Sequence, residues 1–283
     1  MTLVAAWMRR NSRLHELVIA SDSRISGGES WDVCPKIVVL PRPATAIAMS
    51  GKAAEAYAFM LHAINTCLLL EGNKSGRTDL GYLARKLRET YADLRRNVKD
   101  LPFGQSTPDV PDLEVALFGW SWRNLAFQGY RYTYDKAGSL RMYAIQALAV
   151  DNAYPRFLMG DTARDGQVRL RGLMASRNLP IPWRGAPDAS DVAREAFLDW
   201  EPLEILCEMI EDDAVRSVGG APQIVRIYQY GECEPFVWRA SGIDYFGGRP
   251  VQVSERFDRR IVTFVDGRMN ISVSDKSIYS ETD

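Results

Sequence analysis

The first fifty residues alternate between apolar runs and short polar breaks on the scale of β-strands. Thr2 to Met8 is apolar, Arg9 to Arg13 is a polar connection, and Glu16 to Ala20 resumes with Leu17-Val18-Ile19 at its centre, which predicts a hairpin. Ile37 to Leu40 and Ala44 to Met49 predict two further strands. They flank Pro41-Arg42-Pro43, where the prolines suit a turn because they cannot donate to a sheet ladder. After Ser50-Gly51 the period changes. Ala53, Ala56, Tyr57, Met60, Leu61, Ile64, Cys67 and Leu68 recur at three- and four-residue spacing, predicting an amphipathic helix that ends near Glu71-Gly72. A second helix is predicted from a cap at Thr78-Asp79, with Leu80, Leu83, Ala84, Leu87, Tyr91 and Leu94 on one face and Arg85, Lys86, Arg88, Glu89 and Arg95 on the other.

Residues 97–112, with three prolines and a glycine, read as a loop or flap. Strands are predicted over Leu113 to Trp122, Asn124 to Tyr134, Ser139 to Leu148 and Pro155 to Met159. Residues 163–199 read as an irregular or helical insertion with a short helix near Ser190 to Leu198. Glu201 to Arg216 predicts a helix, and Gln223 to Tyr230, Pro235 to Trp238 and Arg260 to Val265 predict strands before a polar tail. The order is strands, two helices, strands, helices, strands. That order suits an α+β fold in which two antiparallel sheets pack face to face between helix layers. The expectation is one domain over 1–283, with a C-terminal extension.

Composition narrows the chemistry. At 283 residues, 46% hydrophobic and 25% charged, the chain is that of a folded protein, and a net charge of −1 gives no reason to expect nucleic acid or an anionic membrane as partner. Cys34, Cys67, Cys207 and Cys233 are dispersed without a Cys-x-x-Cys pair, which points to a reducing compartment. The longest apolar run, Ala53 to Leu70, is broken by Glu55, His62, Asn65 and Thr66, and no signal-peptide pattern opens the chain, so a cytoplasmic location is expected. Histidine is scarce. With only His15 and His62, neither a histidine triad nor a multi-histidine metal site is expected, and no cofactor or metal is predicted. Ser50-Gly51-Lys52 lacks the glycine spacing of a P-loop, His15-Glu16 lacks the second histidine of a zincin, and Gly119-Trp120-Ser121-Trp122-Arg123 fails as a nucleophile elbow at its last position. Glu211-Asp212-Asp213 reads as a solvated helix end.

One constellation needs no histidine. If Met1 is excised, the chain begins with Thr2, which carries a hydroxyl nucleophile and its own base, because an α-amino group titrates near ~7.7–8.0. Such a site also needs a cation to keep the amine neutral, an acid to hold the cation, and a backbone N–H aimed at the developing oxyanion. Lys36, Asp22 and Gly51 stand at the ends or starts of the first predicted strands, where they can converge on Thr2. Taken singly, Asp22 and Lys36 read as an inter-strand ion pair and Gly51 as a turn or helix-entry glycine. Their joint order behind Thr2 favours function.

Thr2, Ala20-Ser21-Asp22-Ser23-Arg24, Lys36-Ile37 and Met49-Ser50-Gly51, followed by an alanine-rich helix, resemble the N-terminal third of proteasome β-type subunits, including the bacterial HslV and Anbu branches. The resemblance implies an N-terminal-nucleophile hydrolase with a four-layer αββα sandwich. It implies Thr2 as nucleophile, Asp22 and Lys36 as the tuning charge pair and Gly51 N–H as oxyanion donor. Family members carry Gly-Ser-Gly after the central strands; here the stretch is Gly160-Asp161-Thr162, so the position of the supporting serine falls to Asp161 or Thr162. The family's Asp-x-x-Ser-Gly-Gly is matched, with altered spacing, by Asp213, Ser217 and Gly219-Gly220. Peptide or unfolded-protein substrates and a homo-oligomer, as rings or a helical stack, are further implications, with any unfoldase partner unspecified. Two other readings remain open at the level of sequence: an amidase of the same nucleophile class acting on a small molecule, and a catalytically silent scaffold or binding subunit.

Overall fold

Strands β1 (Val4–Asn11) and β2 (Leu14–Ser21) form the predicted hairpin, but their pairing extends from Val4 opposite Ser21 to Asn11 opposite Leu14. Arg9 and Arg10 therefore belong to a strand and not to its connection. The cause is cross-strand: Arg9 lies opposite Glu16 and pairs with it at 2.7 Å, so charge extends the ladder past the apolar run. The structure, a computed structural model, describes residues 2–11, 14–26, 29–101, 103–105, 108–149, 152–179, 196–265 and 268–273.

β1 and β2 lie inside a five-stranded antiparallel sheet completed by β10 (Arg156–Met159), β11 (Gln223–Tyr228) and β12 (Cys233–Pro235), in the order β10-β1-β2-β11-β12. A second antiparallel sheet runs in sequence order through β5 (Ile37–Val39), β6 (Thr45–Gly51), β7 (Leu113–Ser121), β8 (Ala126–Tyr134) and β9 (Leu140–Ala144). Between β2 and β5 a short ribbon pairs β3 (Ile25–Ser26) with β4 (Ser30–Trp31). Four α-helices occur among the described residues: α1 (Ala53–Leu69), α2 (Leu80–Leu94), α3 (Ala163–Ser176) and α4 (Glu201–Glu211). The molecule is thus mixed α/β with antiparallel sheets.

Side-chain alternation decides what each sheet faces. Val4, Ala6, Met8, Leu17 and Ile19 pack with Ala46, Ala48, Ala116 and Phe118 of the second sheet. Residues of the opposite parity, Leu3, Ala5, Trp7, Val18 and Ala20, pack with Leu170 and Met174 of α3 and Leu203 and Leu206 of α4. On the second sheet Ile47, Met49, Val115, Leu117 and Tyr132 meet Phe59 and Met60 of α1 and Leu83 and Leu87 of α2. Burial on both faces explains why these strands read as continuous apolar runs.

Several boundaries depart from the sequence reading. The third central strand stops at Ala144, and residues 146–148 form a 3-10 turn that buries Leu148. α3 occupies part of the stretch read as irregular or helical and resolves it as a helix; its inward stripe is Gly166, Leu170 and Met174, with two glycines inside the helix. The short helix expected near Ser190 to Leu198 falls mostly outside the described residues, and 196–198 are not helical. α4 ends at Glu211, earlier than the expected Arg216. The C-terminal extension is a third sheet: β13 (Val237–Ala240), β14 (Ile243–Phe246), β15 (Arg249–Pro250), β16 (Arg260–Val265) and β17 (Arg268–Val273), ordered β15-β14-β13-β16-β17 with β13 and β16 parallel. Trp238 and Val262 anchor it to the cluster under α3 and α4.

Candidate active site

Thr2 precedes β1 and lies just past the ends of β10 and β2, since Val4 is opposite both Met159 and Ser21. This register puts Gly160-Asp161 on one side of Thr2 and Asp22 on the other. Lys36 enters from the residue before β5, its backbone carbonyl accepting from Met49 N–H at 3.0 Å and its N–H donating to Gln223 Oε1 at 2.9 Å. Gln223, the first residue of β11, also donates through Nε2 to the carbonyls of Asp22 and Cys34 at 3.2 and 2.9 Å. One buried amide therefore ties together the two segments that carry Asp22 and Lys36.

Those side chains meet at Thr2. Lys36 Nζ donates to Thr2 Oγ1 at 2.5 Å and to Asp22 Oδ1 at 2.9 Å. All three residues are buried, Thr2 at 3% exposure, Lys36 at 1% and Asp22 at 0%. Asp22 is held further by the N–H groups of Leu3 (3.3 Å), Arg24 (3.1 Å) and Gly219 (3.2 Å). Burial pushes the Lys36 ammonium below the ordinary lysine range, and the Asp22 charge pulls it partly back. The same burial pushes the Asp22 carboxyl up, against Lys36 and the Gly219 and Arg24 amides, which pull it down. An ammonium with a buried counter-charge, donating to a hydroxyl oxygen, is suited to stabilise that oxygen as it loses its proton.

The other side of Thr2 is built by the turn after β10. Thr2 N–H donates to Asp161 Oδ1 at 2.6 Å, and Thr162 Oγ1 donates to the Thr2 carbonyl at 3.1 Å. Gly160, at φ +103°, comes so close that a β-carbon there would overlap the Thr2 carbonyl. Its N–H donates to Glu114 Oε2 at 3.0 Å, the oxygen that also accepts from Ser50 Oγ at 3.1 Å, while Glu114 Oε1 pairs with Arg131 at 2.5 Å. Glu114 thus connects β7 of the second sheet to the end of β10 in the first.

Gly51 ends β6 at φ +86°, where a β-carbon would strike the Asp112 carbonyl. It lines a cleft of about 850 Å³ together with Ser50, Lys52, Asp112, Glu114, Gly160 and Asp161. Asp161, whose Oδ1 accepts from Thr2 N–H, is part of this lining, whereas Thr2 itself is not.

Asp213 and Ser217 are placed differently. Asp213 is exposed in the turn after α4 and Ser217 is half-buried; the residue of this loop that reaches Asp22 is Gly219. Gly219 packs on the Arg24 guanidinium, leaving no room for a β-carbon. That guanidinium is fixed by two bonds to Asp32, at 2.6 and 2.8 Å, and by one to the Arg216 carbonyl at 3.0 Å. Sequence reasoning did not single out Gln223, Glu114 or Gly219 as site residues. For Gln223 and Glu114 a signal exists, since each is a polar residue within the first two positions of a largely apolar strand. His15 stacks on Phe197 with ring centroids 4.9 Å apart, and His62 is exposed on α1. Among the described residues no group of three His, Cys, Asp or Glu side chains is placed to hold a metal ion, and no helix is long and apolar enough to cross a membrane. In comparison with known proteins, the chain matches no family model and no curated sequence.

Proposed function

We propose that this chain is an N-terminal-nucleophile hydrolase of the proteasome β-subunit kind, a threonine peptidase activated by removal of Met1. The observation that carries the reading is Lys36 Nζ within hydrogen-bond distance of both Thr2 Oγ1 and Asp22 Oδ1 in a buried pocket. In the same reading the helix pairs α1/α2 and α3/α4, on the outer faces of the two sheets, are the outer layers of a four-layer αββα sandwich.

Removal of Met1 turns the Thr2 nitrogen into an amine. Thr2 Oγ then attacks the carbonyl carbon of a peptide bond, and its proton passes to that amine. Gly51 N–H donates to the carbonyl oxygen as it takes up negative charge, while Lys36 stabilises Oγ as its proton leaves. The tetrahedral adduct collapses by breaking the C–N bond, with the Thr2 ammonium handing the proton to the leaving nitrogen. An ester on Thr2 Oγ remains. Water, deprotonated by the same amine, attacks the ester, and the acid product departs as Oγ recovers its proton.

The test is the intact mass of the purified chain before and after exposure to a peptide epoxyketone. The expected result is a chain lacking Met1 that gains one inhibitor per polypeptide, and a Thr2→Ala variant that gains none. Retained Met1, or equal labelling of Thr2→Ala, overturns the reading. Retained Met1 without labelling is the result expected of a silent binding subunit.

A further inference from the structure

We propose that Asp161 is the catalytic partner of the Thr2 amine, and that its carboxylate shifts the working range of the site toward alkaline pH. This rests on the hydrolase reading, because it requires Thr2 to be the amino terminus.

The contact is direct: Asp161 Oδ1 lies 2.6 Å from Thr2 N. It is also braced on both sides. Gly160 N–H is held by Glu114, and Thr162 Oγ1 donates to the Thr2 carbonyl, so the turn that carries Asp161 is tied both to the second sheet and to Thr2 itself. Gly160 allows the close approach, since any β-carbon there would displace the turn from Thr2. Asp161 therefore meets the nitrogen as a positioned group.

The charges facing Thr2 come from four segments. Asp22 follows β2, Lys36 precedes β5, Asp161 follows β10, and Glu114 reaches Gly160 from β7. Lys36 alone would disfavour a protonated amine, but Asp22 balances its charge at 2.9 Å and the Asp161 carboxylate also acts on it. Glu114 is likewise balanced by Arg131 at 2.5 Å, and the buried Cys34 thiol near Lys36 is kept neutral because burial raises its pKa. Across the cleft Lys52 faces two carboxylates, Asp109 and Asp112. After these pairings, the charge in contact with the nitrogen is the Asp161 carboxylate.

A carboxylate hydrogen-bonded to an ammonium favours the protonated form, which raises the amine above the ordinary α-amino range of ~7.7–8.0. The amine serves as base only when neutral, so the acid limb of activity moves up by the same amount. A neutral acceptor at this position would orient the amine without that shift. The carboxylate thus gives the same orientation with a different pH threshold.

The experiment measures the Thr2 amine itself. Protein shown by intact mass to lack Met1 is treated with acetic anhydride across pH, and acetylation of the N-terminal peptide is followed by mass spectrometry for wild type, Asp161→Asn and Asp161→Glu. The expected midpoint of wild type lies about one unit above that of Asp161→Asn, which leaves roughly tenfold less neutral amine at pH 7. Asp161→Glu, which keeps the charge, should stay on the wild-type side. The acid limb of the epoxyketone inactivation rate should move with the midpoint. Equal midpoints in wild type and Asp161→Asn, with Met1 removed, overturn this proposal alone. Retained Met1 overturns it together with the hydrolase reading.

Discussion

A lysine at 1% exposure keeps its charge only if something nearby offsets the loss of water, and for Lys36 that partner is Asp22. The two residues are consequently worth more as a pair than either is alone. Asp22→Asn removes the hydrogen-bonded counter-charge of a buried ammonium and should cost about 3–5 kcal/mol in urea unfolding, whereas the double variant Asp22→Asn/Lys36→Met should recover most of that loss. Equal midpoints for the single and double variants would show that the charges are not coupled. Lys86 and Glu89, in contact at 2.8 Å on the exposed face of α2, serve as the control; Lys86→Ala should leave the midpoint in place. At this scale the sequence was informative where chemistry lies at strand ends. Thr2, Asp22, Lys36 and Gly51 fall within fifty residues and in an order that can be read directly. Gln223 and Glu114 could not be read that way, because their partners lie 187 and 46 positions away in the chain and only the folded register brings them together.

Among the elements, α2 shows how much a single cap can carry. Asp79 accepts from Gly81 N–H at 3.2 Å as the helix cap, and its other oxygen accepts from Ser121 Oγ at 2.8 Å and Arg123 N–H at 3.3 Å at the end of β7. Asp79→Ala removes the cap and strands a buried hydroxyl, a loss of about 2 kcal/mol or more. Asp79→Asn, which can still cap, should retain most of the stability; thermal unfolding followed by circular dichroism distinguishes the two. Indistinguishable melting of both variants from wild type would remove the tie between α2 and β7. The cap and the period of α2 were legible in the sequence for the same physical reason, since both are local. α3 was legible only as an irregular or helical stretch, because one of its three inward residues is a glycine and a second glycine lies inside the helix. The strands β14 and β15 escaped as well, because each is short and β14 mixes exposed and half-buried residues. β17, whose residues Arg268-Met269-Asn270-Ile271-Ser272-Val273 alternate polar and apolar, carried a strand signal that the reading passed over.

Across the whole molecule, the candidate site belongs to no single element. Thr2 and Asp161 come from the first sheet, Gly51 and Glu114 from the second, and Lys36 from the residue that leads into the second. The proposed catalytic geometry depends on how the two sheets pack, which couples the proposed activity to the packing of Val4, Ala6 and Met8 against Ala46, Ala48 and Phe118. The order of elements in the sequence was enough to anticipate the two facing sheets. It did not reveal that the C-terminal extension is a sheet of its own, because β13 and β16 pair in parallel across a separation that local patterns do not encode.

Under the proposed activation by loss of Met1, the burial of Thr2 bears on when that removal takes place. β1 is paired on both flanks, and Thr2 at its start is 3% exposed with its N–H engaged by Asp161. An exopeptidase needs the peptide bond in its own cleft, so trimming of Met1 belongs to the interval in which the emerging chain has not yet laid β1 between its neighbours. Folding and processing are then in competition. On that proposal a chain that folds first should persist unprocessed. Full-length chain refolded with Met1 in place should resist methionine aminopeptidase, whereas the same chain held unfolded in urea and presented by dilution should be trimmed. Equal trimming of both would mean that β1 opens readily at its start.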